Sequence, residues 1–518
     1  MAAFIRKYIP HIVVFFSSIG VMVIELVASR LVSKYFGNSL YTWTGVIGTV
    51  LGGISLGNFV GGRLSDKHKP SVVIIPLMLV TSGVVFFILI LDMILHSIMG
   101  GQGSIINALM VFRSVVVIGI LFFLPAASLG TISPVMAKYA LEQRDKVGRT
   151  VGNIYAIASI GSISGTFLAG FVLIPLFDLR VIILIISLTI SSLTFIFSGR
   201  RVITLAVIAG IISFYFIYTL IDPSRKAIEA DGKVLYAGYS QYSFIKVKDL
   251  NPSSDGTRER VLIMDGLVHN RHDLLNSDNL LYEYEKIFAA MTDYFISGGF
   301  IKKNFSSLTL GGGAMTFPVH LARKYGLEDN TVIEIDPRVV SIAKKYFDVR
   351  EERGLKIITT DARNYVNFKK GRQEYDIIYL DAFNSFAVPY HLTTEEFSRE
   401  LTGILKSNGA FIINCVDILS LGGFINAYYN TLRSVFPFVA VYGDTSYRKD
   451  SRSTFVLVAS DRNIFPGLLY DENGLAVGRK IDPAVLDELH KRNGSLALSD
   501  QHAPVESLMA PVFLRTIQ

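Results

Sequence analysis

Four groups of residues able to hold a nucleoside follow short apolar segments in the second half of the chain. The first is a run of three glycines after LTL, and Glu334, Asp361 and Asp381 end later segments. Glycines let a backbone approach a ligand closely, one carboxylate can accept both hydroxyls of a ribose, and another can accept a hydrogen bond from the amino group of adenine. The spacing is not G-x-G-x-x-G, so we expect an adenosyl co-substrate rather than a dinucleotide. The three glycines are Gly311, Gly312 and Gly313.

These groups must be positioned by the segments that precede them. Five short apolar segments alternate with helical stretches, which is typical of a parallel sheet covered on both faces. The carboxyl ends of such strands lie at one edge, where ligands bind. Two further segments, FVAVYGD and STFVLVAS, predict an antiparallel pair that closes the sheet. The five segments are SSLTL, NTVIEID, LKIITTD, YDIIYLD and GAFIINCV.

The predicted fold class for this half is an α/β class I methyltransferase-like (Rossmann-like) domain over residues 279–460. Upstream, residues 222–278 contain alternating segments such as ERVLIMDGLVHN, which predict a small antiparallel β unit. Residues 461–518 are predicted to form a C-terminal tail that packs on the α/β domain.

Residues 1–221 predict a multi-pass α-helical membrane domain with seven transmembrane helices. Each apolar run is near or above the roughly 20 residues needed to cross a bilayer. The lipid bilayer is therefore a predicted partner, and the plasma membrane is the predicted location. The runs are 9–34, 40–61, 71–98, 105–128, 151–177, 179–198 and 202–221.

The charge distribution predicts an orientation. Residues 1–221 carry 15 Lys and Arg against 6 Asp and Glu, and the basic residues cluster in alternate loops. The positive-inside rule then places the N-terminus in the cytoplasm. Seven crossings would put residues 222–518 outside the cytoplasm, which conflicts with an adenosyl co-substrate made inside. An eighth crossing, for which the sequence offers no candidate, or one run that does not cross would remove the conflict. No basic patch interleaved with aromatic residues is present, so no nucleic-acid partner is expected, and no His/Cys cluster has metal-ligand spacing.

The second half resembles spermidine synthase, the polyamine aminopropyltransferase, over about residues 235–460, and the whole chain resembles membrane-fused members of that family. The family patterns are S-x-Y-Q, L-D-G, G-G-G-D-G, E-x-D, D-G and D-S-S-D-P. The corresponding segments here are SQYS (240–243), MDG (264–266), GGGAM (311–315), EID (334–336), DA (361–362) and DAFNS (381–385), followed by Pro389.

The resemblance implies roles for matching residues. Glu334 would bind the ribose, Asp361 with Ala362 would bind adenine, and Pro389 would border the same pocket. Asp381 matches the proton-accepting aspartate, and Tyr242 matches a tyrosine that lines the amine site. The resemblance also implies a homodimer.

Several positions depart from the family pattern on the side of the pocket that binds cations. Ala314 replaces an aspartate that holds the ammonium of the aminopropyl group, and Asn384 replaces an acid that grips the diamine. Ser243 replaces a glutamine on the co-substrate side. Further candidates for substrate contact are His269, His391, and either Glu283 or Glu285 in place of the acid of Y-H-E. In the tail, Asp500 and Glu506 are candidates to replace the missing acids.

Three functions fit this pattern. The first is transfer of the aminopropyl group of decarboxylated S-adenosylmethionine to an amine such as putrescine, releasing methylthioadenosine, with Asp381 as base and Tyr242 orienting the amine. The second is an S-adenosylmethionine-dependent methyltransferase or lyase, because losing the acid at Ala314 would remove a clash with the carboxylate of that molecule. The third is a non-catalytic co-substrate-binding module for a membrane or transport protein.

Overall fold

The structure is a computed structural model. It describes residues 2–36, 40–99, 110–143, 146–197, 201–221, 228–229, 231–254, 256–351, 354–372, 374–383 and 388–515. The chain forms two compact units. The helical unit comprises residues 1–226 and 238–244, and the α/β unit comprises residues 227–237 and 245–518.

The helical unit contains long apolar helices joined by short connections. Two π-helical turns, Gly119–Phe123 and Ala169–Leu173, continue directly from α4 and α6, and a 3-10 turn, Leu193–Ile196, follows α8. The helices are α1 (Ala2–Phe36), α2 (Leu40–Lys67), α3 (Pro70–Met99), α4 (Met110–Ile118), α5 (Leu124–Leu141), α6 (Val147–Leu168), α7 (Ile174–Leu176), α8 (Leu179–Ser192) and α9 (Arg201–Ile221).

Within the described residues, six of these helical segments are long and apolar enough to cross a membrane. The predicted count of seven transmembrane helices remains a prediction. The seventh predicted run forms α9, whose described apolar part, Ile203–Thr219, is shorter than the others. The six segments are Tyr8–Ser33, Thr42–Lys67, Pro70–Leu95, Ser114–Leu141, Val147–Leu176 and Leu179–Ile196.

Glycines set the spacing of two helix pairs. A Cβ on Gly61 of α2 would lie 2.7 Å from the Pro134 side chain of α5, and one on Gly165 of α6 would lie 2.8 Å from the Ile19 backbone of α1. Only a glycine fits at such a distance, so the glycines allow these helices to pack closely.

The α/β unit begins with the predicted antiparallel β unit. Its five strands pair in the order β1-β2-β3-β4-β5, and the end of β2 with the turn after it belongs to the helical unit. The strands are β1 (Ile228–Glu229), β2 (Gly232–Tyr239), β3 (Phe244–Leu250), β4 (Glu259–Met264) and β5 (Leu267–Asp273).

The main sheet has nine strands in the order β13-β14-β11-β12-β10-β9-β6-β7-β8. The five predicted parallel strands are adjacent, and β12 and β11 add antiparallel to β10, which confirms the predicted fold class. The strands are β6 (Ser307–Leu310), β7 (Asn330–Glu334), β8 (Leu355–Thr359), β9 (Tyr375–Leu380), β10 (Leu405–Ile418), β11 (Phe438–Asp444), β12 (Arg452–Ser460), β13 (Leu468–Tyr470) and β14 (Ala476–Lys480).

Residues 461–518 are more than a tail, because β13 and β14 extend the main sheet beyond β11. Two helices follow these strands. The helices of the α/β unit are α10 (Glu283–Ser297), α11 (Thr316–Tyr325), α12 (Pro337–Tyr346), α13 (Ala362–Lys369), α14 (Glu395–Thr402), α15 (Gly423–Arg433), α16 (Pro483–Asn493) and α17 (Val505–Arg515).

Candidate functional site

The glycine loop follows β6 and lies between the ends of two neighbouring strands. Gly311 has a φ of 98°, and a Cβ there would lie 2.7 Å from the carbonyl carbon of Asp381 at the end of β9. A side chain is therefore excluded by both conformation and space. Gly313 also has a positive φ, 51°. This loop brings bare backbone to the carboxyl edge of the sheet.

Glu334 ends β7 and is held by three backbone amides. Its Oε2 accepts hydrogen bonds from the N–H groups of Gly312 and Gly313 at 2.9 and 3.1 Å, and its Oε1 accepts one from Asp336 at 2.9 Å. Burial raises the pKa of Glu334 despite these bonds. A carboxylate has about four acceptor sites, and these bonds use three of them. The fixed group can therefore still accept a hydrogen bond from a ribose hydroxyl through Oε1.

Asp361 caps the start of α13. Its Oδ1 accepts a hydrogen bond from the backbone N–H of Asn364 at 2.9 Å, and its Oδ2 lies 3.3 Å from Nε2 of His391. The contact with His391 lowers the pKa of Asp361. Ala362 is buried beside it, and Pro389 precedes the 3-10 turn that carries His391. The residues predicted to bind adenine therefore converge.

Asp381 follows β9 and is held by two side chains that the sequence analysis missed. The Tyr284 hydroxyl donates to Oδ2 at 2.8 Å, and the Asn414 amide donates to Oδ1 at 2.9 Å. Burial raises the pKa of Asp381 to about 6, although both hydrogen bonds lower it. Its side chain remains partly exposed. One signal for Asn414 is present in the sequence, since it is a polar residue inside the apolar strand GAFIINCV.

Of the two candidate acids at the start of α10, the structure buries only Glu285. Glu283 is exposed, and its Oε1 lies 3.4 Å from Nζ of Lys286. Glu285 is 1% exposed, and the Thr316 hydroxyl donates to its Oε1 at 2.7 Å. Burial raises the pKa of Glu285 to about 8, with Asp381 adding to the effect. The carboxyl group is therefore neutral near pH 7.

The Ala314 side chain and the Nε2 atom of His269 are both buried. Ala314 is packed in an apolar cluster, and its N–H donates to Oδ1 of Asn270 at 2.8 Å. Burial lowers the pKa of His269 to about 4, so its imidazole is neutral. Its Nε2 is buried without a hydrogen-bond partner among the residues described. Asn384 lies outside the described residues.

Tyr242 and Ser243 belong to the segment 238–244 of the helical unit. The backbone carbonyl of Tyr242 accepts a hydrogen bond from Arg30 at 2.9 Å. The Ser243 N–H donates to Oγ of Ser240 at 3.0 Å, which closes a tight turn. The roles predicted for these two residues remain predictions.

Asp500, which was predicted to replace one of the missing acids, is paired with a cation of the chain itself. Asp500 makes a bidentate ion pair with Arg363 at 2.6 and 2.7 Å and accepts a hydrogen bond from Thr394 at 2.8 Å. Arg363 lowers the pKa of Asp500, so its charge is already compensated. Glu506 lies in the first turn of α17. Among the described residues no group of three or more His, Cys, Asp or Glu could hold a metal ion.

A comparison with known proteins identifies the domain that contains the carboxyl edge of the main sheet. Residues 253–446 match the sequence profile of the spermine/spermidine synthase domain. The C-terminal half of the chain contains a spermine/spermidine synthase domain. This domain holds the glycine loop, Glu334, Asp361 and Asp381.

The similarity to individual relatives is partial. The chain is 40% identical over 129 residues to a polyamine aminopropyltransferase of Vibrio vulnificus, covering 24% of this chain and 41% of the relative. It is 35% identical over 135 residues to an N-terminal histidine N-methyltransferase of Emericella nidulans, covering 26% and 23%. The chain thus spans less than half the length of these relatives. The crystal structure of a probable spermidine synthase from Corynebacterium glutamicum is similar with a TM-score of 0.43 and 22% identity, covering 52% of this chain and 97% of that one.

Proposed function

We propose that the protein is a membrane-bound aminopropyltransferase that transfers the aminopropyl group of decarboxylated S-adenosylmethionine to an amine such as putrescine. The observation that carries the proposal is Asp381, a carboxylate at the sheet edge whose pKa is raised to about 6 by burial. A general base works best when its pKa lies near the operating pH. At pH 7 roughly nine-tenths of Asp381 is ionised and able to take a proton.

The residues at the sheet edge would divide the work between binding and proton transfer. Glu334 would accept the ribose hydroxyls, Asp361 the adenine amino group, and the glycine loop would admit the nucleoside close to the backbone. The co-substrate supplies a carbon made electrophilic by its sulfonium sulfur. Asp381 would accept the proton lost by the amine as the new C–N bond forms, and the electrons of the broken C–S bond stay on sulfur in methylthioadenosine.

Tyr284 and Asn414 would hold Asp381 in the orientation required for this step. Each donates one hydrogen bond to a different carboxylate oxygen, so the group cannot rotate without losing both. Both bonds also stabilise the ionised form, which keeps the base usable at neutral pH although partial burial disfavours its charge. Alignment of a neutral amine by such fixed groups can supply much of the rate acceleration.

The purified protein, given decarboxylated S-adenosylmethionine and putrescine, is expected to release methylthioadenosine and spermidine. Asp381→Asn should lower the rate by at least 100-fold, as expected for loss of a general base. Asp487→Asn, which alters an exposed aspartate of α16, should leave the rate unchanged. Full activity in Asp381→Asn would contradict the proposal.

A methyltransferase is the second candidate, because Ala314 carries no acid and the chain shares 35% identity over 135 residues with an N-methyltransferase. The same assay with S-adenosylmethionine decides between them. Release of S-adenosylhomocysteine, without methylthioadenosine from either co-substrate, would identify the second function. Binding without turnover of either would identify the non-catalytic module.

We propose further that the helical unit anchors the protein in the bilayer with the synthase domain in the cytoplasm. Six crossings and a cytoplasmic N-terminus would put residues 222–518 on the side where adenosyl compounds are made. The expectation of an external domain depended on seven crossings, and the proposal takes α9 as the run that does not cross. A homodimer, implied by the family resemblance, would be tested by light scattering in detergent.

A further inference from the structure

Glu285 is a buried acid at the start of α10 whose hydrogen bonding is incomplete. The Thr316 hydroxyl satisfies Oε1 at 2.7 Å. Oε2 is fully buried and makes no hydrogen bond of normal geometry within the described part of the chain. Buried polar atoms are nearly always paired, and an unpaired one is costly. Once the carboxyl group has lost its proton, a ligand that donates a hydrogen bond to Oε2 would satisfy this oxygen.

The groups around Glu285 leave its charge uncompensated. Asp381, Tyr282 and Tyr284 are acidic groups that interact with it. Lys286 on the same helix is the cation that acts on Glu285, and its effect is the smallest of the named causes. Desolvation therefore dominates, and the carboxyl group carries its proton to about pH 8. A cation brought into contact with it would reverse this balance, because an opposite charge at short range favours ionisation.

A chain of hydrogen bonds connects Glu285 with the loop position where the family pattern has an acid. The Ala314 N–H donates to Oδ1 of Asn270, the Asn270 amide donates to Thr316 Oγ1 at 3.0 Å, and Thr316 donates to Glu285. Glu285 is thus a carboxyl group near a loop that lacks its own. It also shares the neighbourhood of Asp381, the proposed base.

We propose that Glu285 binds the primary ammonium group of an alkylamine substrate through Oε2. The inference rests on the proposed function and adds a substrate-binding residue to it. The proton balance is simple: a neutral carboxyl group and an alkylammonium ion form a carboxylate–ammonium pair, and one proton passes to the solvent. The acceptor amine and the aminopropyl group of the co-substrate both carry this chemistry.

A purely structural role for Glu285 would be helix capping. It is the third residue of α10, and the Tyr282 backbone amide at the helix start also stabilises its carboxylate. Glutamine can cap in the same way. Glu285→Gln therefore retains the cap and removes only the ionisable proton, which separates the two roles.

The test is isothermal titration calorimetry of the detergent-solubilised protein at pH 7, in buffers with different ionisation enthalpies. One arm titrates putrescine and the other decarboxylated S-adenosylmethionine, so the arm that releases protons identifies the source of the ammonium group. With a pKa of about 8, Glu285 is roughly nine-tenths protonated at pH 7, and about 0.9 proton should be released per ligand. Asp381 would add about 0.1 proton.

Glu285→Gln should abolish most of this release and weaken binding at least tenfold while the variant remains folded. Glu488→Gln, an exposed change on α16, should behave as the parent. Thr316→Val removes a bond that favours the carboxylate, so proton release should become half-maximal at a higher pH; this variant serves if Glu285→Gln does not fold. Unchanged proton release and affinity in Glu285→Gln, or no upward shift in Thr316→Val, would overturn the inference. Failure of the parent to form methylthioadenosine would instead count against the proposed function.

Discussion

Replacing Tyr284 with phenylalanine removes one of the two donors that hold Asp381. The Tyr284 hydroxyl lies 2.8 Å from Oδ2 and lowers the pKa of a carboxyl group that burial has raised to about 6. A hydrogen bond to a charged group contributes about 1.5–3 kcal/mol, and one pKa unit corresponds to about 1.4 kcal/mol. The loss of this bond can therefore raise the pKa of Asp381 by at most about two units. Because Asn414 still donates to the same carboxylate, we expect a rise of about one unit.

The consequence is a pH-dependent loss of activity. Asp381 acts in its ionised form, so a higher pKa moves the acid limb of the pH profile of kcat/KM to higher pH. With the pKa raised from about 6 to about 7, the active fraction falls about tenfold at pH 5, about twofold at pH 7 and hardly at all at pH 9. Loss of orientation would add a further decrease that is equal at every pH.

The assay is methylthioadenosine release across pH 5–9. Tyr282→Phe is the matched control, because the Tyr282 hydroxyl donates to the Val268 carbonyl and its loss should leave the acid limb in place. An acid limb that stays fixed or moves to lower pH in Tyr284→Phe would refute the assignment of Asp381 as base and Tyr284 as its positioning residue.

Three further predictions concern the fold, the buried acid and the membrane. Gly311→Ala forces a Cβ against the Asp381 carbonyl and a non-glycine residue into a φ of 98°. We therefore expect a melting temperature several degrees lower and weaker binding of methylthioadenosine. A melting curve like that of the parent would contradict the geometry. Glu285 keeps its proton in the folded state to about pH 8 but loses it near pH 4.5 when unfolded. Its contribution to the free energy of unfolding is therefore full below pH 4.5 and is lost as the pH rises to 8. The melting temperature of Glu285→Gln relative to the parent should therefore increase between pH 5 and 8, and a constant difference would argue against the raised pKa. A cysteine introduced at exposed Glu488 should react with a membrane-impermeant maleimide only after cell lysis, whereas labelling of intact cells would place the synthase domain outside.

The nucleoside-binding side of the site could be predicted because its residues follow directly from local sequence. A glycine run or an acid at the end of a strand is visible in the chain, and parallel pairing of β6, β7 and β9 brings Gly312, Glu334 and Asp381 to one edge. The fold class followed from the same strand pattern. The strands β13 and β14 were missed because three and five residues carry too little periodicity to stand out.

The partners of these residues could not be predicted because they come from distant parts of the chain. Tyr284 is 97 residues from Asp381, and Asn414 is 33 residues from it. Glu283 and Glu285 are equivalent in the sequence, and only packing of α10 decides that the second is buried. Asp500 was a plausible substitute acid until the structure paired it with Arg363.

The central claim is that the ends of consecutive strands form a nucleoside site in which Glu334 receives the ribose. Calorimetric titration of the parent protein and of Glu334→Gln with methylthioadenosine tests it most directly. We predict saturable binding by the parent and affinity at least tenfold weaker in the variant, whose side chain has lost one acceptor oxygen at the glycine loop. No measurable binding by the folded parent, or equal affinity in both proteins, would contradict the claim.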